Sequence, residues 1–245
     1  MDYLLRVIFF PLALLRFVLM FLISIVLMFM SIVEYYISKL FQRNHFITMR
    51  IWGWSMLIVL GVVVRRNSFP KVSRFILMPN HRSYIDIFLV AALKPTTFVA
   101  KAELRKWPVI GFAMSVNRMI FVQRDNLRSM FDTMSQLKEA FANGVSVTVF
   151  PEGTTFEGPG LRPFKAGSFK MAAEAGVSVV PAAIEYRNRN DAWVGNDTFI
   201  AHFFRQMWKP LTFVSLTFGK EMSSNDFKKL KEDTYQSIES LLKIG

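Results

Sequence analysis

The chain has 245 residues, long enough for one substantial core with an attachment, and it has no cysteine. That excludes a disulfide framework, a thiolate metal site and a cysteine nucleophile. A formal charge of +12 combined with 25 Phe and a mean hydropathy of +0.31 points to an anionic lipid surface; nucleic acid is disfavoured, because no basic recognition helix, zinc motif or aromatic stacking motif occurs.

Residues 1–64 read as membrane-associated. Phe17–Val33 is 17 residues without a charge, about 26 Å as a helix and close to the thickness of a bilayer's hydrocarbon core. Arg6 and Arg16 precede it and Lys39, Arg43 and Arg50 follow, so basic residues on both sides assign no orientation. No small-residue cleavage site follows, which argues against a signal peptide. A second run, Ile51–Val64, has 14 residues. It is short for a span and fits an interfacial or re-entrant helix, with Trp52 and Trp54 at head-group depth. The pair reads as a membrane-anchoring helical hairpin. The alternative, two buried core helices, is weakened by the lack of a polar face.

From about Arg65 the composition changes: residues 65–245 carry 25 of the 30 basic and 16 of the 18 acidic residues. Short apolar runs alternate with amphipathic ones, the pattern of an α/β domain with a central mixed, largely parallel sheet flanked by helices. Strands are expected at Phe75–Met78, Thr97–Ala100, Met119–Val122, Val145–Phe150, Val177–Ile184 and Phe213–Phe218. Helices are expected at Ser83–Leu93, Leu104–Met114, Asn126–Ala142, Ala166–Ala175 and Ser224–Leu242. Gly144 and Gly176 suit helix C-caps, and Asn126 and Ser224 suit N-caps.

The stretch Asn80-His81-Arg82-Ser83-Tyr84-Ile85-Asp86 joins a strand to a helix, where an α/β sheet places its chemistry. His81 can give and take protons near neutrality, and Asp86, one turn on, can hold its imidazole in one tautomer. Ser83-x-x-Asp86 is also a capping box, so a purely structural reading of the acid stands beside the catalytic one. A second strand end, Val145–Phe150, is followed by Pro151-Glu152-Gly153-Thr154-Thr155. Two such loops at parallel strand ends would face one crevice, or Glu152 is a solvated turn residue. Lys101 and Arg124 each follow an apolar strand, where a cation suits a phosphate, although a solvated surface cation is the commoner meaning. His45 and His202 lack an acid at useful spacing and read as structural. No cluster has metal-ligand spacing.

Asn80-His81-x-x-x-x-Asp86 followed by Phe150-Pro151-Glu152-Gly153-Thr154 resembles the paired signature of the glycerolipid acyltransferases, which include the bacterial 1-acylglycerol-3-phosphate acyltransferases and related lysophospholipid acyltransferases. Further blocks follow in family order: Lys101-x-Glu103-Leu104 with Pro108 and Gly111, Ile120–Arg124, Leu161-Arg162-Pro163-Phe164-Lys165-x-Gly167, and Val180–Ile184. The resemblance spans about residues 75–184. Arg118 stands where the second block usually has Gly, and Thr155 where many members have Arg.

The resemblance implies a membrane-bound O-acyltransferase that moves a fatty acyl group from acyl-CoA or acyl carrier protein to the free hydroxyl of a lysolipid. The default acceptor is 1-acyl-sn-glycerol-3-phosphate, giving phosphatidate; Thr155 keeps another lysophospholipid or a lyso-aminolipid open. It implies His81 as general base with Asp86 orienting it, and Asn80, Lys101, Arg124, Glu152, Gly153 and Thr154 as substrate-binding residues. No metal and no cofactor beyond the thioester co-substrate are expected. The expected location is a bacterial inner membrane, with the catalytic domain, residues 65–245, at the cytoplasmic face and residues 1–64 as anchor. A lipid hydrolase is disfavoured by the lack of a Gly-x-Ser-x-Gly elbow. A non-catalytic lipid-binding protein is the alternative from another class.

Overall fold

The computed structural model describes residues 3–41, 46–106, 111, 114, 115, 117, 119–122, 127–195 and 197–244. A seven-stranded sheet lies at its centre, in the order β1-β7-β6-β2-β5-β3-β4. The strands are β1 Val62–Arg66, β2 Phe75–Pro79, β3 Thr97–Lys101, β4 Ile120–Val122, β5 Val147–Thr148, β6 Ser178–Tyr186 and β7 Thr212–Phe218. Only the β6–β7 pair is antiparallel. The mixed, largely parallel sheet read from the sequence is therefore the one observed.

Burial on both faces explains why β2 is apolar throughout: Phe75 and Leu77 point to one layer, Ile76 and Met78 to the other. The first layer holds helices α1 (Tyr3–Leu40), α2 (Ile47–Val59), α3 (Ile85–Leu93) and α6 (Phe199–Met207). The second holds α4 (Leu127–Ala142), α5 (Gly167–Ala175) and α7 (Phe227–Ile244).

Residues 9–40 of α1 form a helix long and apolar enough to cross a membrane. A narrow stripe, including Ala13, Arg16, Met20 and Leu27, faces the protein, and most of the remaining surface is exposed Leu, Phe, Val and Met. Its two buried-side charges act on helix ends. The Arg16 guanidinium donates to the carbonyls of Met207, Lys209 and Pro210 at the end of α6. The Glu34 carboxylate accepts the N–H groups of Ile47 and Thr48, the first turn of α2, at 2.8 and 2.9 Å. A cation thus meets the negative end of one helix and an anion the positive end of another.

α2 lies directly on α3. A Cβ on Gly53 would sit 2.4 Å from the Ala92 nitrogen, so only glycine permits this approach. Trp52 turns inward, donating to Ser24 Oγ at 3.2 Å and packing edge-on to Phe88, so it is not a head-group residue; Trp54 points outward. The expected second apolar helix ends early. Gly61, at φ +68°, stops α2, and the β-branched run Val62-Val63-Val64 becomes β1, parallel to β7. The boundary expected at residue 64 thus falls inside a strand.

Other differences are local. α6 is absent from the expected elements, although Thr198 caps it by accepting from the Ala201 N–H at 3.2 Å. The C-terminal helix is capped by Asp226, which accepts from Lys228 N–H, while Ser224 supports Asp226 from outside. Gly176 is a left-handed C-cap, as its position suggested. The helix expected at Leu104–Met114 begins as a 3-10 turn, Ala102–Lys106, and most of the rest lies outside the described residues. Asn126, Arg43 and His45 also lie outside them.

Candidate active site

Parallel pairing brings three strand ends together. β2 lies between β5 and β6, so the loops that follow β2 and β5 and the end of β6 converge at the carboxyl edge of the sheet. They carry His81, Glu152 and Tyr186.

Asn80 fixes the register at this edge. Its carboxamide donates to the Ile184 carbonyl at 3.0 Å and accepts the Ile184 N–H at 2.6 Å. The side chain is fully buried and faces the strand, not the crevice, so its observed work is to hold β2 to β6.

His81 follows at the mouth. Its Nδ1 lies 2.9 Å from Asp86 Oδ2, and its ring stacks on Phe150 with centroids 4.0 Å apart. Asp86 is fully buried. Its Oδ2 also accepts the N–H groups of Arg82, at 2.6 Å, and Ser83, at 2.9 Å. Its Oδ1 accepts the Tyr186 hydroxyl at 2.7 Å. One carboxylate thus holds the His81 imidazole and reaches back to the Ser83 N–H, which is half of a capping box. A carboxylate can only accept, so opposite Asp86 the His81 Nδ1 carries the proton and donates it, which leaves the lone pair on Nε2 of a part-exposed ring.

Glu152 braces the same loop from β5. Its two oxygens accept the His81 N–H and the Arg162 N–H, each at 2.9 Å. Burial pushes its carboxyl above the usual range, while those two N–H groups, Arg82 and His81 oppose the rise. Gly153, at φ +75°, makes the turn that lets the chain leave β5 sharply. Thr154 is exposed beside it. Arg82, also buried, donates to the carbonyls of Phe156 at 2.9 Å and Gly160 at 2.9 Å, fastening the loop after Glu152. Burial lowers its pKa, offset by the acids Glu152, Asp86 and Glu185.

Among the expected site residues, the structure gathers His81, Asp86, Glu152, Gly153 and Thr154 at one edge, and Asn80 behind it. Lys101 ends β3, two strands from β2, with its side chain outside the described residues; Arg118 and Arg124 also lie outside them. Sequence reasoning missed Tyr186 and Arg82. Arg82 sits inside the motif, whereas Tyr186 lies 100 residues from Asp86 and only the β2–β6 register brings it near. No group of three or more His, Cys, Asp or Glu among the described residues could hold a metal ion.

An apolar cavity of about 180 Å³ lies between α1, α2 and the residues before β4. Leu27, Met28, Met49, Trp52 and Met119 line it.

A family model described as Acyltransferase matches residues 61–185. The chain is 34% identical over 127 residues to a 1-acyl-sn-glycerol-3-phosphate acyltransferase of Neisseria gonorrhoeae, covering 52% of this chain and 50% of that protein. It is 35% identical over 161 residues to a lyso-ornithine lipid O-acyltransferase of Pseudomonas aeruginosa, covering 64% and 62%. The chain therefore spans half to somewhat under two thirds of the length of these curated relatives. The crystal structure of the 1-acyl-sn-glycerophosphate acyltransferase PlsC from Thermotoga maritima superposes with a TM-score of 0.64 at 21% identity, over 94% of this chain and 97% of that one, a likeness of fold.

Proposed function

The chain belongs to the acyltransferase family, and on that premise we propose that it is a membrane-bound enzyme moving a fatty acyl group from a thioester to the free hydroxyl of a lysolipid. The observation that carries this reading is the His81–Asp86 pair, in which a buried carboxylate with three further donors holds Nδ1 and leaves Nε2 as the proton acceptor. A hydroxyl is a poor nucleophile until a base takes its proton. Nε2 takes that proton as the acceptor oxygen attacks the thioester carbonyl. The C–S bond then breaks, and the proton passes from Nε2 to the leaving thiolate. Asp86 stabilises the transient imidazolium, as in the serine-hydrolase triad, with the substrate's alcohol in place of the enzyme's serine. No covalent enzyme intermediate, metal or further cofactor is required. Glu152, Gly153 and Thr154 frame the acceptor side, with Lys101 and Arg124 as candidate phosphate contacts.

The exposed apolar surfaces of α1 and α2 support a membrane location. The apolar cavity between them suits a hydrocarbon chain. The water-soluble donor, acyl-CoA or acyl carrier protein, would reach the site from the cytoplasmic face of a bacterial inner membrane.

The leading acceptor is 1-acyl-sn-glycerol-3-phosphate, as in the name of the Neisseria relative. A second reading, a lyso-ornithine lipid, is favoured by the Pseudomonas relative and by Thr155, which leaves no cation where many members carry arginine. The test offers the purified full chain a panel of lysolipids with acyl-CoA and acyl carrier protein. Formation of phosphatidate supports the first reading, and ornithine diacyl lipid the second. Wild-type turnover in a folded His81→Ala variant refutes the base assignment.

A further inference from the structure

Among the described residues, every large apolar side chain that is exposed lies in one of two places. Most belong to α1, α2 and Phe41 just after α1. The others are Val63, Ile200, Phe204, Leu211 and Phe213, at the corner where β1 and β7 begin beside α6. Scattered exposed apolars need no explanation, but a cluster marks a contact surface.

α6 is two-sided. His202, Gln206 and Met207 are buried, while Ile200 and Phe204, one turn apart, are 66% and 40% exposed. The surface continues without a break onto α1: the Phe204 ring stacks on Phe17 at 6.3 Å and 20°. Arg16 holds the turn after α6 by its carbonyls, which brings Leu211 beside the same stretch of α1. α6 is therefore level with Arg16 and Phe17, where the charge-free run of α1 begins.

We infer that α6 and Leu211 form a third membrane-contacting element, seated in the lipid leaflet beside the start of the charge-free run of α1. The argument for lipid as occupant is continuity with the lipid-facing side of α1, together with the basic balance of the chain; it rests on the reading of α1 as lipid-embedded. The depth follows from the geometry. With Phe17–Val33 in hydrocarbon, Ile200 and Phe204 lie at the hydrocarbon boundary, and the neighbouring Arg205, also exposed, is paired with Asp197. The inner side of α6 packs Phe199, His202 and Phe203 on Tyr84, three residues from His81, so the contact fixes the height of the catalytic mouth above the lipid.

The chain has no cysteine, so single-cysteine variants label one place each. Spin-labelled Ile200→Cys and Phe204→Cys are compared, in the full chain reconstituted in vesicles with anionic lipid, with Phe21→Cys on α1 and Glu232→Cys on α7. Accessibility to oxygen reports lipid and accessibility to a nickel chelate reports water. The expected result is oxygen-dominated collision at residues 21, 200 and 204, shallower at 200 and 204 than at 21, and chelate-dominated collision at 232. Lipid at 21 with water at 200 and 204 overturns the inference and leaves the anchor standing. Shielding of 200 and 204 from both reagents, as in a contact between copies, also overturns it. Water at 21 overturns both this inference and the anchor.

Discussion

Replacing Asp86 with asparagine separates what the carboxylate does by shape from what it does by charge. Three donors meet Oδ2, the N–H groups of Arg82 and Ser83 and the His81 Nδ1–H, and one meets Oδ1, the Tyr186 hydroxyl. An amide nitrogen at the Oδ2 position would face three donors, whereas at the Oδ1 position it faces only a hydroxyl, which can rotate to accept. The introduced carboxamide should therefore keep its oxygen toward His81, so fold and tautomer survive and only the charge is lost. The loss lies between the difference of a charged and a neutral hydrogen bond, about 1 kcal/mol, and the full attraction of the transient ion pair, about 4 kcal/mol. That corresponds to roughly 5- to 1000-fold in rate. Asp86→Ala instead strands two buried N–H groups and a hydroxyl, at about 1–3 kcal/mol each, against a total stability of about 5–15 kcal/mol. The assay pairs initial acyl-transfer rates with thermal unfolding of Asp86→Asn, Asp86→Ala and His81→Ala. A melting point for Asp86→Asn as low as that of Asp86→Ala would refute the amide placement. So would activity as low as that of His81→Ala, because the tautomer would then have been lost.

Tyr186→Phe removes one of the four donors to Asp86 and should lower kcat by roughly tenfold with KM little changed, read by steady-state kinetics. Arg82→Lys cannot hold the Phe156 and Gly160 carbonyls together; a loss of about 1.5–3 kcal/mol in denaturant unfolding and a raised KM for the acceptor are expected. Gly53→Ala drives a methyl into the α3 backbone and should cost about 1–3 kcal/mol, with faster proteolysis between α1 and α2. His202 is fully buried, and burial lowers its pKa, helped by Arg205 and opposed by Asp197 and the Ala192 carbonyl. The unfolded chain then binds a proton that the folded one refuses, so stability should fall as pH drops below about 6.5, at up to about 1.4 kcal/mol per pH unit. His202→Leu should flatten that slope in pH-dependent melting.

What was legible in the sequence was what local spacing encodes. Phe75–Met78, Val177–Ile184 and the turn residues after Phe150 gave strands and their polar ends, and the acid five residues after His81 gave the pair. What was hidden depends on pairing between distant strands. Tyr186 reaches Asp86 only because β6 runs beside β2, and Asn80 turns to Ile184 for the same reason. Val62–Val64 looked like the end of an apolar helix because hydropathy cannot distinguish a buried helix from an edge strand; Gly61 and the three β-branched residues were the signal that could have divided them. Trp52 and Trp54 are two residues apart, so on a helix they point to different sides, and only one of them can face the head groups.

The site's geometry follows from the sheet's register more than from any one side chain. Leu77 faces Thr148 across one edge of β2 and Pro79 faces Ala182 across the other, so the loops bearing His81 and Glu152 leave the sheet at nearly the same height. A slip of β2 by two residues against its neighbours would move the loop carrying His81 and Asp86 by about 6.6 Å, beyond hydrogen-bond reach of Tyr186 for Asp86 and of Glu152 for the His81 N–H. A slip of one would turn Asn80 away from Ile184 and bury a carboxamide without partners. Asn80 therefore penalises both errors, and Glu152, by accepting the His81 N–H, penalises movement of the loop itself. A proton acceptor must be held to within a fraction of an ångström to act, and the proposed base gets that precision from backbone pairing, with the His81 imidazole as its last and least buried member.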